Sequence, residues 1–143
     1  MADIAVVAIS MGATLEDLQN CDFAYTPPFS TAIHPFAVTV NALLNKLSGE
    51  LETITPAQFA AGEAEGFRVV DCSIQPTIHS APYLDITKIN GMVEGFDPAE
   101  KLLLVCSTGK RTYLAQNRLK FYGYRNTRVL EGGSLFNPGI LDD

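Results

Sequence analysis

Cys106 ends an apolar strand predicted over Leu102–Cys106 and opens the run Ser107, Thr108, Gly109, Lys110, Arg111, after which the pattern reads as helix from Gly109 to Tyr122. A loop so placed can curl around the cysteine sulfur, so that successive backbone N–H groups and the positive end of the helix point at one atom. Such a cradle stabilises a thiolate, and equally the anionic persulfide formed when that thiolate takes up a sulfane sulfur. Gly109 permits the tight curl, and Lys110 and Arg111 add positive charge. The bland alternative is a core cysteine closing an apolar strand; the glycine, the two cations and the following helix count against it. Spacing then selects between chemistries. A cysteine-dependent phosphatase needs an arginine six positions after its cysteine to enclose a tetrahedral phosphate. That position here is Thr112, and the arginine comes one residue earlier. The shorter loop suits a single sulfur, which favours sulfur transfer over dephosphorylation.

Other reactive side chains are fewer. Cys72 directly follows a strand predicted over Phe67–Asp71, where it is either a resolving thiol beside Cys106 or a buried core cysteine. Asp71 either anchors the active loop, through Arg111 or a backbone amide, or caps the strand end. His79 is a lone histidine in a stretch without period, and Cys21 reads as inert. The three cysteines form no CxxC and make an odd set, which suits neither a disulfide framework nor a structural zinc site. Reduced thiols in a cytoplasmic protein without bound metal are the expectation. The net charge of −6 argues against a nucleic-acid surface, yet seven of the ten basic residues lie between Lys101 and Arg128 with no acidic residue among them. That run contains Cys106.

The elements that must position these residues follow from pattern. At 143 residues and 47% hydrophobic, the chain suits one globular domain with an appendage. Its longest apolar runs, Ile4–Ile9 and Leu102–Cys106, are far shorter than the roughly 20 residues that cross a bilayer. Residues 1–48 read as helical pieces. Thr14-Leu-Glu-Asp17 is a capping box, Cys21–Thr31 is held extended by its two prolines, and Phe36, Val40, Leu43, Leu44 and Leu47 make an apolar stripe after Pro35. That stripe predicts docking or self-association. Over 49–143 strands alternate with helices, the signature of a small α/β domain with a parallel sheet. A helix is predicted from Thr55 to about Glu65, a strand over Thr127–Leu130, and a short final helix after Glu131-Gly-Gly-Ser134. Chemistry in such sheets sits at the carboxyl ends of strands, where Cys106 is placed. Residues 73–100 show no period.

The run Val105-Cys-Ser-Thr-Gly-Lys-Arg-Thr-Tyr-Leu-Ala115, with Leu119, Gly123-Tyr124 and Val129-Leu-Glu-Gly-Gly133, resembles the active-site half of a rhodanese domain. Arg111–Ala115 is similar to the rhodanese tail of flavin-dependent coenzyme A-disulfide reductases. Leu15-Glu-Asp-Leu18, Asp22–Ser30 and His34-Pro35 resemble the end of the dimerisation domain of the same enzymes, of the pyridine nucleotide-disulfide oxidoreductase class. The resemblance implies that Cys106 is the sulfur-accepting nucleophile and that Ser107, Thr108, Gly109, Lys110 and Arg111 form the persulfide-binding loop. It implies a role for Tyr25 near the flavin-side active site of a partner subunit, and a homodimer. FAD, NAD(P)H and coenzyme A are implied for a reductase part outside this chain, which has no GxGxxG after a strand and so no dinucleotide site of its own. A sulfane-sulfur donor, a thiol acceptor and a flavoprotein reductase domain are the implied partners, the chain being the tail of a larger flavoprotein or a degenerate stand-alone relative. A rhodanese normally shows Asp-x-Arg after its first strand and later Gly-His-Ile. This chain has Asp71-Cys-Ser73 and then Gln75–Pro82, with His79 in the place of the family histidine. The missing arginine supports an alternative, a non-catalytic interaction tail that keeps a rhodanese shell.

Overall fold

Why β3, Leu102–Val105, carries no polar residue is answered by its position: it lies inside a four-stranded, wholly parallel sheet of order β1-β4-β3-β2, and all four of its residues are buried. A parallel strand covered on both faces has no solvent side to mark with polar residues. The computed structural model describes residues 2–23 and 33–141, which fall in two compact units, residues 1–50 and 51–143. The other strands are β1, Thr53–Ile54; β2, Arg68–Asp71; and β4, Thr127–Leu130. Leu102 and Leu104 face a core shared with Val70, Cys72, Tyr124 and the inner side of helix α5, Lys110–Phe121. Leu103 and Val105 face the opposite core with Ile54, Ile78, Leu130 and Ile140, against which Phe59 of helix α4, Pro56–Ala60, also packs.

Several expectations need correction. Helix α4 starts as the pattern requires, with Thr55 and Gln58 forming a reciprocal capping box, but it ends at Ala60 rather than near Glu65. Gly62 and Gly66 both take positive φ and carry the chain through turns instead. Strand β3 stops at Val105, one residue before Cys106, and the last α-helix, α6, occupies Gly133–Phe136. Strand β1 was not expected. It is only two residues long, and parallel bonds from Val129 N–H to the Glu52 carbonyl and from Glu131 N–H to the Ile54 carbonyl hold it.

Residues 73–100 contain no β-strand, only a single bridge from Asp71 to Tyr83 and a 3₁₀ turn at Ile86–Lys88. Side chains satisfy its backbone. The buried Tyr124 hydroxyl accepts from Val93 N–H at 2.9 Å and donates to the Phe96 carbonyl, Arg118 donates to the Ile86 carbonyl, and Arg68 donates to the Gly95 carbonyl. A segment held by long-range side chains needs no periodic sequence.

The first unit consists of α1, Ala2–Ser10; α2, Leu15–Gln19; and α3, Pro35–Leu47. Thr14 and Asp17 form the expected capping box. Phe36 and Val40 of the α3 stripe are buried and Phe36 packs edge-on against Phe23, whereas Leu43 and Leu47 are exposed. An open groove of about 590 Å³ is lined by Ile4, Val7, Ala8, Met11, Leu18 and Cys21, among others. Cys21–Phe23 carry no helix or strand, and Tyr25, with most of the segment expected to be extended, lies outside the described residues. No helix among the described residues is long and apolar enough to cross a membrane.

Candidate active site

The Cys106 sulfur sits at the carboxyl end of the central strand β3, where the chain turns through Ser107 and Thr108 into α5. Gly109 makes that turn with φ +91°, a left-handed conformation that is cheap only for glycine. Its N–H donates to Sγ at 3.2 Å. Burial pushes the Cys106 thiol up, but the main-chain N–H groups of Thr112, Thr108, Gly109 and Arg111 facing the sulfur outweigh it and hold the thiol below its ordinary value. The anion is therefore stabilised by fixed backbone dipoles rather than by solvent, since Cys106 itself is only 1% exposed.

Thr112, noticed in the sequence only as a missing arginine, is part of this cradle. It is fully buried, its hydroxyl donates to the Gly109 carbonyl at 2.7 Å, and its Oγ1 lies 3.9 Å from Sγ. An inward-folded hydroxyl thus occupies the chain position at which a cysteine-dependent phosphatase needs its arginine. Gly133 is the second residue whose part the sequence did not reveal. Ser134 N–H donates to the Cys106 carbonyl and Leu135 N–H to the Ser107 carbonyl, at 2.9 and 3.1 Å, which turns those oxygens away from the sulfur. A Cβ on Gly133 would lie 1.9 Å from the Cys106 oxygen. The Gly-Gly pair after β4 was the available signal.

The supporting residues fall into place unevenly. Arg111 does not reach Asp71; its Nε donates to the Cys72 carbonyl at 2.9 Å and so ties the loop to the end of β2. The Asp71 carboxylate, fully buried, accepts from Ser73 N–H at 2.9 Å, Thr77 N–H at 2.5 Å and Ile78 N–H at 3.0 Å, and so organises the segment that follows its own strand. Ser73, at the position of the missing arginine, shares a hydrogen bond with the Thr77 hydroxyl. His79 is exposed and makes no hydrogen bond to the loop. Ser107, Thr108 and Lys110 are exposed around the mouth of the cradle. The basic run does not collect there: Lys120 and Arg128 both pair with Glu52, and Lys101 lies over the Phe67 ring. Lys110 and Arg111 are the cations that the sequence of the loop itself contributes.

Cys72 and Cys106 should consequently titrate apart. Following the ultraviolet absorbance of thiolate against pH in the folded protein, the Cys106 midpoint is expected below the ordinary thiol value of about 8.5. Burial pushes the Cys72 thiol strongly up, as does the negative charge of Cys106 and Asp71, so Cys72 is expected to stay protonated until the protein unfolds. One common midpoint at or above the ordinary value would contradict the cradle.

The α/β unit has the rhodanese-like fold. Among solved structures, a NAD-dependent persulfide reductase from A. fulgidus is similar to this chain at 27% identity, with a TM-score of 0.78 over 94% of this chain and 24% of its own. The reduced CoADR-RHD of Bacillus anthracis, a coenzyme A-disulfide reductase with a rhodanese domain, is similar at 22% identity, with a TM-score of 0.82 over 98% of this chain and 26% of its own. A rhodanese homologue from the extremely thermophilic bacterium Thermus thermophilus aligns at 32% identity over 58% of this chain and 96% of its own, with a TM-score of 0.47. The chain thus spans about a quarter of the length of the two reductases. No family model and no curated protein matches the sequence.

The turn between β3 and α5 does not offer its amides to a dinucleotide. The glycine-bearing turn between β3 and α5 directs its amides inward at Cys106 Sγ, which leaves them unavailable to a pyrophosphate. Nor do any three His, Cys, Asp or Glu side chains among the described residues group to hold a metal ion.

Proposed function

We propose that this chain is a sulfur-carrying module of the rhodanese type, with Cys106 as nucleophile, Ser107–Arg111 as the loop that holds the loaded sulfur, and a flavin-dependent pyridine nucleotide-disulfide reductase as its working partner. The observation that carries this reading is the convergence of backbone N–H groups on Cys106 Sγ. A thiolate held in that way attacks the outer sulfur of a sulfane donor. A new S–S bond forms on Cys106, the donor's S–S bond breaks, and the bonding pair leaves with the donor residue as its anion. An acceptor thiolate then attacks the outer sulfur of the persulfide, takes it, and returns Cys106 as thiolate. Both steps exchange one anionic sulfur for another at the same place, so one cradle serves throughout.

The reductase partner rests on the likeness to a persulfide reductase along nearly the whole of this chain. In that setting residues 1–48 belong to a dimerisation region, residues 49–143 form the sulfur-handling domain in a cytoplasmic homodimer, and FAD, NAD(P)H and coenzyme A bind to the reductase part. On the same reading Tyr25 serves the flavin-side active site of the partner subunit.

Turnover of thiosulfate or polysulfide with a thiol acceptor is the test. It should fall to background in Cys106→Ser. Full transfer by Cys106→Ser would rule out Cys106 as the nucleophile, and a wild-type protein that transfers no sulfur would leave the non-catalytic interaction tail as the better reading.

A further inference from the structure

The nucleophile has a second thiol beside it that sulfur transfer alone does not use. The β2–β3 ladder runs from Arg68 opposite Leu102 to Asp71 opposite Val105, and Cys72 N–H extends it by donating to the Val105 carbonyl at 2.7 Å. Cys72 and Cys106 therefore occupy the next pair of positions on adjoining strands' ends. They also point the same way. Cys72 belongs to the core that includes Leu104, Ala115 and Leu119, beneath α5, and Cys106 Sγ lies against Gly109 N and Thr112 Oγ1 at the start of that helix. Adjacent strands are about 4.8 Å apart, within the Cα separation of about 4.4–6.8 Å that a disulfide spans. Both residues are buried and unbridged, and Arg111 is anchored on the Cys72 carbonyl, which fixes the two strand ends together.

We infer that Cys72 is a resolving thiol that discharges a persulfide on Cys106, which makes the module able to reduce sulfane sulfur to sulfide by itself, once per chain. The inference rests on the sulfur-carrier reading above. The Cys72 sulfur attacks the inner sulfur of the Cys106 persulfide, the S–S bond to the outer sulfur breaks, and the outer sulfur leaves with the bonding pair and the Cys72 proton. One Cys72–Cys106 disulfide and one hydrogen sulfide result: the outer sulfur is reduced and the two cysteine sulfurs are oxidised, with no other oxidant or reductant. An external dithiol then restores both thiols. Attack on the inner sulfur suits this geometry, because that atom stays in the cradle, next to Cys72. Burial favours the thiol form of Cys72, so its proton passes first to the anionic outer sulfur of the persulfide, Cys72 attacks as the thiolate, and hydrosulfide departs with that proton.

Thiosulfate, used without any thiol acceptor, separates the outcomes by intact mass and sulfide release. The wild-type chain is expected to become about 2 Da lighter and to release one sulfide per chain, whereas Cys72→Ser and Cys72→Ala become and stay about 32 Da heavier, with sulfide release slowed at least about tenfold. Two variants guard against a folding defect in either. If the wild type also holds the heavier adduct without releasing sulfide, resolution by Cys72 is wrong and sulfur carriage on Cys106 stands. If neither wild type nor variants gain sulfur, the carrier reading fails and this inference fails with it.

Discussion

Gly133→Ala is expected to lower the stability of the protein by about 2–5 kcal/mol, combining about 1–2 for a side chain in left-handed backbone with about 1–3 for forced overpacking. Gly133 has φ +56°, and its missing Cβ is what lets the start of α6 lie directly on the Cys106 and Ser107 peptide groups. The neighbouring atoms are backbone, not the flexible end of a side chain, so nothing can move aside without moving the loop. Displacing α6 breaks the bonds from Ser134 and Leu135 N–H that orient the two loop carbonyls. The same substitution should therefore raise the Cys106 thiol toward its ordinary value, because the amides facing it lose their fixed direction. Urea unfolding and thiolate absorbance of one protein read both effects. Gly139→Ala is the control: a Cβ there meets nothing within 4 Å and φ is not positive, so its change should stay within about 0.5 kcal/mol. Equal midpoints for the two variants would show that the close approach is not tight in solution.

Asp71→Asn is expected to cost about 3 kcal/mol at neutral pH, the range for buried donors that lose a charged acceptor. Ser73 N–H bonds one carboxylate oxygen, and Thr77 and Ile78 N–H the other. An asparagine side chain has one oxygen, so one side of the group must present its NH₂ to backbone donors. Burial pushes the Asp71 carboxyl up, but the bonds from Ser73, Thr77 and Ile78 outweigh it and hold the carboxyl below its ordinary range. The sign of the pH dependence follows. A carboxyl depressed in the folded state adds stability fully present above the unfolded value of about 4 and lost as pH falls through the lower folded value. Asparagine does not titrate, so the wild-type and Asp71→Asn stability curves should lie furthest apart at neutral pH and converge in acid. Parallel curves down to the acid transition would mean that the charge of Asp71 contributes nothing.

The site and its fold were legible in the sequence to different depths. The Cys106 loop could be read because its requirements are local: a strand before, a glycine in a left-handed turn, a helix after. Helix α5 was bounded to within one residue at each end, Lys110–Phe121 against the expected Gly109 to Tyr122, because Gly109 and Gly123 flank it. Roles that depend on distant backbone were not visible. Gly133 reads as a turn residue until α6 is seen lying on Cys106, and Asp71 reads as a strand cap until its donors arrive from a stretch with no period. The helix after Thr55 was overextended because the alanines and glutamates of Ala61–Glu65 suit a helix, while Gly62 and Gly66, both at positive φ, turn the chain out of it. Two-residue β1 is too short to leave a pattern at all. The charge run misled most. Lys101 to Arg128 is continuous in sequence, but α5 and β4 carry Lys120 and Arg128 to Glu52, so sequence proximity to Cys106 did not become proximity in space.

That last arrangement decides where the α/β unit can be excised. Glu52 joins Lys120 and Arg128 through its carboxylate, and its main chain exchanges hydrogen bonds with the buried Gln116 amide. The rod whose first turn aims at Cys106 is thus moored, toward its far end, by a residue that precedes the first strand. Trimming the amino-terminal side as far as Glu50 leaves this mooring whole, whereas cutting two residues further takes away the donor of the buried Gln116 Oε1, leaves that amide only its bond to the Thr127 carbonyl, and frees the edge of the sheet.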